Sequence, residues 1–421
     1  MKPENIIYVD SEIAPLRKII VHRPDEGIIR VSPKKSAELL FDDIVYLPGM
    51  QAEHLVFTDV LRKIVGPESV LETQTLLREA LGVDSGARRS ILQDLVAFEE
   101  LPRYDADMLA GKSDDNLAEI LITGFDQSDG RILFHPIPNF LFTRDIAVTL
   151  NEQIVITKAA KLARSRENYL TRFILYNHPL FAQLNKDKKI IDLNILELFP
   201  PSKRGEPVTL EGGDVMILAK NYVLVGISER TNQHAFNSLK AYLFEHHLMA
   251  NLVQVNLPAE RSFMHIDTVF TQFDESAYIG YQPIVEGIES STVKVHRMDG
   301  SVEPYPTLKD FLLNEINKEI DFFWVGKGDS PTQEREQWTD GCNLLAVKPG
   351  VALTYDRNPV TAEAFEEAGY DILPASRVLE YSAAEIRNLQ KTIITLPSAE
   401  LSRARGGPHC MSCPIQRMPN E

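Results

Sequence analysis

"VMILAKNYVLVGI" (215–227) runs almost directly into "TNQHAFNSLKAYLFEHH" (231–247). The first stretch holds two apolar, β-branched runs split by Lys220 and Asn221, the pattern of a β-hairpin. In the second, Ala235, Phe236, Leu239 and Leu243 fall at the spacing of one helix face. Hairpin patterns recur as "AVTLNEQIVIT" (147–157), "TVFTQFDESAYIGY" (268–281) and "LLAVKPGVALTYD" (344–356). A shorter helix, "TAEAFEEAGYDILP", follows the last, with Thr361 as its expected N-cap. A repeated hairpin-plus-helix unit predicts an α/β protein, built either from modules around a centre or as one α+β domain with several hairpins. The pattern alone supports both.

Residues 69–125 break the rhythm. "SVLETQTLLREAL", "RSILQDLVAFEEL" and "NLAEILITGF" carry helical spacing and no hairpin. Val70, Leu77 and Leu81 share one face, and Ile91, Leu95, Phe98 and Leu101 approximate another. The expected division is a β-rich unit of residues 1–68 and 126–421 with a helical bundle, 69–125, inserted into it. Surface helices on the main unit are the alternative.

The 421 residues are 44% hydrophobic and 25% charged, with a formal net charge of -16. That charge disfavours nucleic acid and anionic membranes as partners and suits a cationic substrate. Cys342, Cys410 and Cys413 are too few, and odd in number, for a disulfide framework. With a polar N-terminal stretch and no run long enough to cross a bilayer, they predict a cytoplasmic protein.

Four stretches concentrate ionisable groups: "PNFLFTRD" (138–145), "EGGD" (211–214), "HID" (265–267) and "RGGPHCMSCPIQR" (405–417). Each has an ordinary reading as a cap, a turn, a structural histidine or core filler. Together they hold the parts for cleaving a guanidinium. Carboxylates pair with that flat cation, a thiolate attacks its carbon, and a histidine protonates the leaving nitrogen and activates water. Asp145, Asp267, His265, Glu211 and Cys410 supply those groups. On an extended strand His265 and Asp267 would share one face. The glycines before Cys410 permit a tight loop that presents the thiol.

At these residues the chain resembles the arginine deiminases of the guanidino-group-modifying (pentein) superfamily. The likeness also covers "LFDD" (40–43), "ARSRE" (163–167), "SERT" (228–231), "MHIDTVF" (264–270), "REQWTDGCNLLAVKPG" (335–350), "YDRN" (355–358) and "ELSRARGGPHCMSCPI" (400–415), in family order over the full length. The resemblance implies a five-bladed α/β propeller of ββαβ modules with pseudo-fivefold symmetry and an inserted helical subdomain. It implies hydrolysis of L-arginine to L-citrulline and ammonia through an amidino-cysteine on Cys410, with no metal or organic cofactor. His265, supported by Glu211, would shuttle protons, and Asp145 and Asp267 would clamp the guanidinium. Asn139, Arg164 and Arg230 match positions near the substrate carboxylate, Phe142 the pocket lining, and Arg405 a gating loop. A homodimer or higher homo-oligomer is implied by the same likeness. Ala404 stands where many members have glycine, and Ile146 where proline is common.

Three other readings compete. Cys410-Met-Ser-Cys413 with His409 beside it is a C-x-x-C, the pattern of a redox or zinc site. Too little chain follows for the helix and sheet a thioredoxin-like motif needs, and zinc would need further ligands. A non-catalytic binding protein on the same scaffold would not need Cys410, His265 and Glu211 together. A related enzyme acting on agmatine, on methylarginine, or transferring the amidino group to an amine is the third; Arg164 and Arg230, which suit a substrate carboxylate, speak against agmatine, and the sequence leaves a transferase open.

Overall fold

The computed structural model describes residues 7–41, 43–287 and 292–419; Asp42 of "LFDD" lies outside them. All four hairpins form. They are Ala147–Leu150 with Gln153–Ile156, Val215–Ala219 with Tyr222–Ile227, Phe270–Gln272 with Ala277–Gly280, and Leu345–Lys348 with Val351–Tyr355. Turn chemistry explains the tight connections. Asn151 takes a left-handed φ of 52°, and the Pro349-Gly350 turn places φ 70° on the glycine, where no Cβ resists it.

Each hairpin's second strand then pairs in parallel with a strand reached by a crossover. Gln153–Ile156 pairs with Ile190–Asp192 across the helix Ser165–Asn177, and Tyr222–Ile227 with Asn251–Asn256 across Gln233–Glu245. Ala277–Gly280 pairs with Asp321–Trp324, and Val351–Tyr355 with Thr392–Leu396 beyond the helix Pro359–Glu367. A fifth unit has the same connectivity but draws on distant parts of the chain. Cys413–Arg417 pairs antiparallel with Leu16–Val21, which pairs in parallel with Val70–Glu72 across the helix Leu47–Val65.

Hydrogen bonds link these units in cyclic order. Gly212 N donates to Asp145 O (3.3 Å), Ile266 N to Asp214 Oδ1 (3.0 Å) and Leu344 N to Thr271 Oγ1 (3.3 Å). Arg417 Nη2 donates to Ala346 O (2.8 Å), and Arg144 N to Cys410 O (3.0 Å), which returns to the first unit. The segments entering the first strands therefore converge, and these segments carry the candidate catalytic residues.

The helix Gln233–Glu245 buries Ala235, Phe236, Leu239 and Leu243, as its spacing predicts, and Asn232 caps it by accepting from Ala235 N. Two local expectations fail. Val70 is not helical: the helix opens at Thr73, because residues 70–72 are taken up by the parallel ladder with Leu16–Val21. Thr361 is not the N-cap: Asn358 holds that position, and the Thr361 hydroxyl donates to buried Glu336 (2.6 Å). Between 73 and 123 lie four helices, Thr73–Leu81, Ser85–Phe98, Tyr104–Ala110 and Asp114–Thr123. Leu77, Leu92, Leu109 and Leu121 share one apolar core with Leu170 and Phe173 of the helix Ser165–Asn177. No helix among the described residues is long and apolar enough to cross a membrane.

Candidate active site

Asp145 ends the segment after the short 3-10 turn Pro138–Leu141, where the chain enters its hairpin. Glu211 immediately precedes the turn Gly212–Asp214, and His265 the turn Ile266–Thr268. The turn corrects the expected strand: His265 and Asp267 are not two alternate strand positions, and they serve different partners. Cys410 lies in the loop before Cys413–Arg417. Asn139, Phe142, Asp145, Arg164, Arg230, His265, Arg405 and Cys410 all line one cavity. It holds about 20 Å³, room for about one water molecule.

Two hydrogen-bonded clusters meet there. In the first, His265 Nε2 is 3.1 Å from Glu211 Oε2, and its Nδ1 is 3.7 Å from Asp145 Oδ1. Gly213 lets the ring lie flat on the backbone, since a Cβ there would sit 2.7 Å from Nδ1. Burial disfavours charge on His265, but Asp145, Glu211 and Asp214 outweigh it and push the imidazolium up to about 10. Burial would likewise raise Glu211, yet Arg164, His265 and Arg230 hold it below the usual carboxylate range.

The second cluster surrounds the sulfur. Cys410 Sγ donates to Asp267 Oδ2 (3.3 Å) and accepts from Asn343 Nδ2 (3.2 Å); Asn343 Oδ1 accepts from Cys410 N (3.0 Å). His409 Nδ1 lies 2.9 Å from Asp267 Oδ2, and its Nε2 lies 2.8 Å from Arg144 Nη2 and 3.3 Å from Glu12 Oε2. Burial and the charges of Asp267, Asp145 and Asp340 raise Cys410 well above an ordinary thiol, so it rests protonated. Asp267 is held below its usual value, burial being outweighed by the His409 hydrogen bond and charge. Its Oδ1 is buried and has no hydrogen-bond partner among the described residues. A buried, charged acceptor left so is costly unless a hydrogen-bond donor from outside the chain meets it.

Arg164 Nη1 donates to Asp145 Oδ2 (2.7 Å) and Glu211 Oε2 (2.9 Å), and Nε and Nη2 donate to Glu167. Buried carboxylates need a counter-charge, and this arginine supplies it. Arg230 stays near, with Nη1 3.7 Å from Glu211 Oε2. Asn139 Nδ2 donates to Leu39 O, and its own carbonyl accepts from Arg164. Phe142 packs on Gly406, where a Cβ would come within 2.3 Å of the ring. The guanidinium of Arg405 stacks 3.3 Å from the Trp338 ring centroid. The left-handed residue in this loop is Arg405 (φ 61°), while Ala404 closes a 3-10 turn, a conformation alanine accepts readily.

Sequence reasoning missed Asn343, Glu12, Arg144 and Glu167, and met His409 only as a possible zinc ligand. Asp145, Glu211 and His265 stand close enough to share a metal ion, but Arg164 Nη1 bonds to both of the carboxylates. Cys413 does not face Cys410 across a disulfide; its thiol donates to Ala147 O (3.2 Å), and burial pushes it up to about 12.

An α/β fold thus gathers a thiol, an imidazole and a carboxylate, those of Cys410, His265 and Asp145, at one cavity. A dimethylarginine dimethylaminohydrolase from Pseudomonas aeruginosa, a cysteine-to-serine mutant complexed with citrulline, matches 95% of this chain and 99% of its own (TM-score 0.50, 13% identity). SxtG, an amidinotransferase from Microseira wollei, matches 99% of this chain and 98% of its own (TM-score 0.53, 12% identity). At those identities the likeness establishes the shared pentein-type fold. Residues 125–417 match the family described as arginine deiminase. An arginine deiminase of Pediococcus pentosaceus is 33% identical over 439 aligned positions, 98% of this chain and 99% of its own. The chain belongs to the arginine deiminase family.

Proposed function

We propose that the protein is an arginine deiminase, hydrolysing L-arginine to L-citrulline and ammonia. The observation that carries this is the meeting of the Cys410 thiol and a charged His265 at one cavity, with Asp267 bonded to the thiol through Oδ2 and its buried Oδ1 left without a partner among the described residues. The seat of Arg164 on Asp145 and Glu211 supports the reading, because a guanidinium already fits the centre there.

On binding, the substrate guanidinium takes the place of Arg164 at Asp145 and donates to Asp267. A cation beside Cys410 favours the thiolate, and the thiol proton passes to solvent, where the released ammonia later takes it up as ammonium. Sulfur attacks the guanidinium carbon and a C–S bond forms. Imidazolium His265 gives its proton to the departing nitrogen, the C–N bond breaks and ammonia leaves, with an amidino-cysteine remaining. Water then loses a proton to neutral His265, its oxygen bonds the carbon, the C–S bond breaks, and the remaining hydroxyl proton passes to sulfur, restoring the thiol as citrulline departs. Glu211 orients and charges His265. Arg164, once displaced, Arg230 and Asn139 receive the substrate carboxylate; Phe142 walls the pocket and Arg405 gates it.

The same reading takes the five ββαβ units, hydrogen-bonded in cyclic order, as a five-bladed propeller, with 69–125 as its helical insertion. It takes the protein to be cytoplasmic, to act on a small molecule as a homodimer or higher homo-oligomer, and to use no metal or organic cofactor. The test is incubation with L-arginine, agmatine and methylarginines while ammonia and ureido products are followed. Turnover of arginine well above the others supports the proposal, and preference for agmatine overturns it. Inactivation by a chelator, restored by metal, would overturn the cofactor-free chemistry.

A further inference from the structure

Beyond the edge strand Val70–Glu72, a second cavity of about 660 Å³ opens between the helices Leu47–Val65 and Thr73–Leu81. It shares no lining residue with the cavity around Cys410. In a protein of net charge -16, Arg23, Arg62 and Arg78 all line this one space, beside Glu72 and Asp115. Arg62 is braced by Asp59 (2.8 Å) and Arg78 by Glu79 (3.2 Å) and Asp115 (3.5 Å). The Arg23 guanidinium has no partner among the described residues, only its backbone N–H being used, by Glu72.

The acids on the wall are occupied. Glu72 accepts from Thr75 N (3.0 Å) and Arg23 N (3.3 Å) and lies 3.1 Å from His22 Nδ1. His22, pinned between Glu72 and Asp25, is pushed up to about 9, against burial, by those two carboxylates, so it neutralises Glu72. A second observation points to a ligand. His54 lines the cavity, is only 2% exposed, and leaves Nε2 without a hydrogen-bond partner among the described residues. A buried ring nitrogen left so costs stability unless something else meets it.

We propose that this cavity is a second binding site for a small anion bearing phosphate or carboxylate groups, gripped by Arg23, Arg62 and Arg78 with His54 as a neutral polar contact. Planar guanidinium forks match such anions in pairs of hydrogen bonds. The volume suits a metabolite up to mononucleotide size, and Val21 and Leu55 give it an apolar wall.

Calorimetric titration of the intact protein with inorganic phosphate, adenosine monophosphate and citrate tests this. Saturable binding of at least one, weakened about tenfold or more in Arg23→Ala and in Arg78→Ala, is expected. The three probes separate free phosphate, nucleotide and carboxylate sources. Arg23→Ala should retain arginine turnover, which verifies its fold. Binding untouched by both substitutions, or lost in Arg230→Ala instead, would move the anion elsewhere and overturn the assignment. No binding of any of the three would leave the cavity a solvated groove and overturn it equally.

Discussion

Gly213→Ala tests the centre with a single methyl group. The new Cβ would stand 2.7 Å from His265 Nδ1, 2.8 Å from its Cγ and 3.1 Å from Asp145 Oδ1. Ordinary contact begins at 3.4 Å, so the ring must retreat by about 0.7 Å. Gly213 has no positive φ, so the backbone itself accepts alanine, and the effect falls on the imidazole. Misplacing a catalytic group by about 1 Å can cost 10²-fold, so kcat should fall roughly 10- to 100-fold. Overpacking should also remove about 1–3 kcal/mol of stability. Citrulline formation at saturating arginine gives the rate, and urea denaturation gives the stability. Gly111→Ala, whose Cβ meets nothing closer than 3.5 Å, serves as the control and should keep wild-type activity. A Gly213→Ala enzyme within about twofold of wild-type kcat would refute the claim that His265 works from this position.

Other outcomes follow from the same geometry. Cys410→Ala should abolish citrulline formation with unchanged circular dichroism, whereas Cys413→Ser should retain substantial activity, since that thiol only meets Ala147 O. Asn343→Ala removes a donor to the sulfur and the acceptor for Cys410 N; a loss of about 1–3 kcal/mol in thermal unfolding should accompany slower turnover. Arg230→Ala should depress arginine turnover far more than agmatine turnover, and equal losses would deny it a carboxylate contact. For stability, His265 is raised from 6.5 to about 10 on folding, so its contribution is full below about pH 6.5 and drains away as pH rises towards 10. The urea midpoint of the wild type should fall across that window, and that of His265→Gln should fall less.

Much of the fold was legible because hairpin and helix signals are local. The pairs around Lys220-Asn221 and Pro349-Gly350 declare themselves within a dozen residues, and so does the face of Ala235, Phe236, Leu239 and Leu243. The fifth unit was not legible. Its antiparallel pair joins Cys413–Arg417 to Leu16–Val21, and no periodicity in either segment reports a partner so far along the chain. Val70 was misread for the same reason: three residues of strand before a strong helix look like its first turn. At the site, nucleophile, base and carboxylates stood out because their chemistry is scarce. Asn343 and Glu12 did not, because an amide and an acid announce nothing until burial brings them to Cys410 and His409. The ion pairs of Arg164 with Asp145 and Glu211 were not legible, because sequence order does not say which buried carboxylates a guanidinium will meet.

The pairing of Cys413–Arg417 with Leu16–Val21 also governs when this protein can become an enzyme. The segment that follows the sulfur has its hydrogen-bonded neighbour far earlier in the chain, so a growing chain cannot complete this unit until Arg417 has been synthesised. Copies cut short before that strand should be inert rather than weakened, and prematurely terminated products would waste no arginine in the cell.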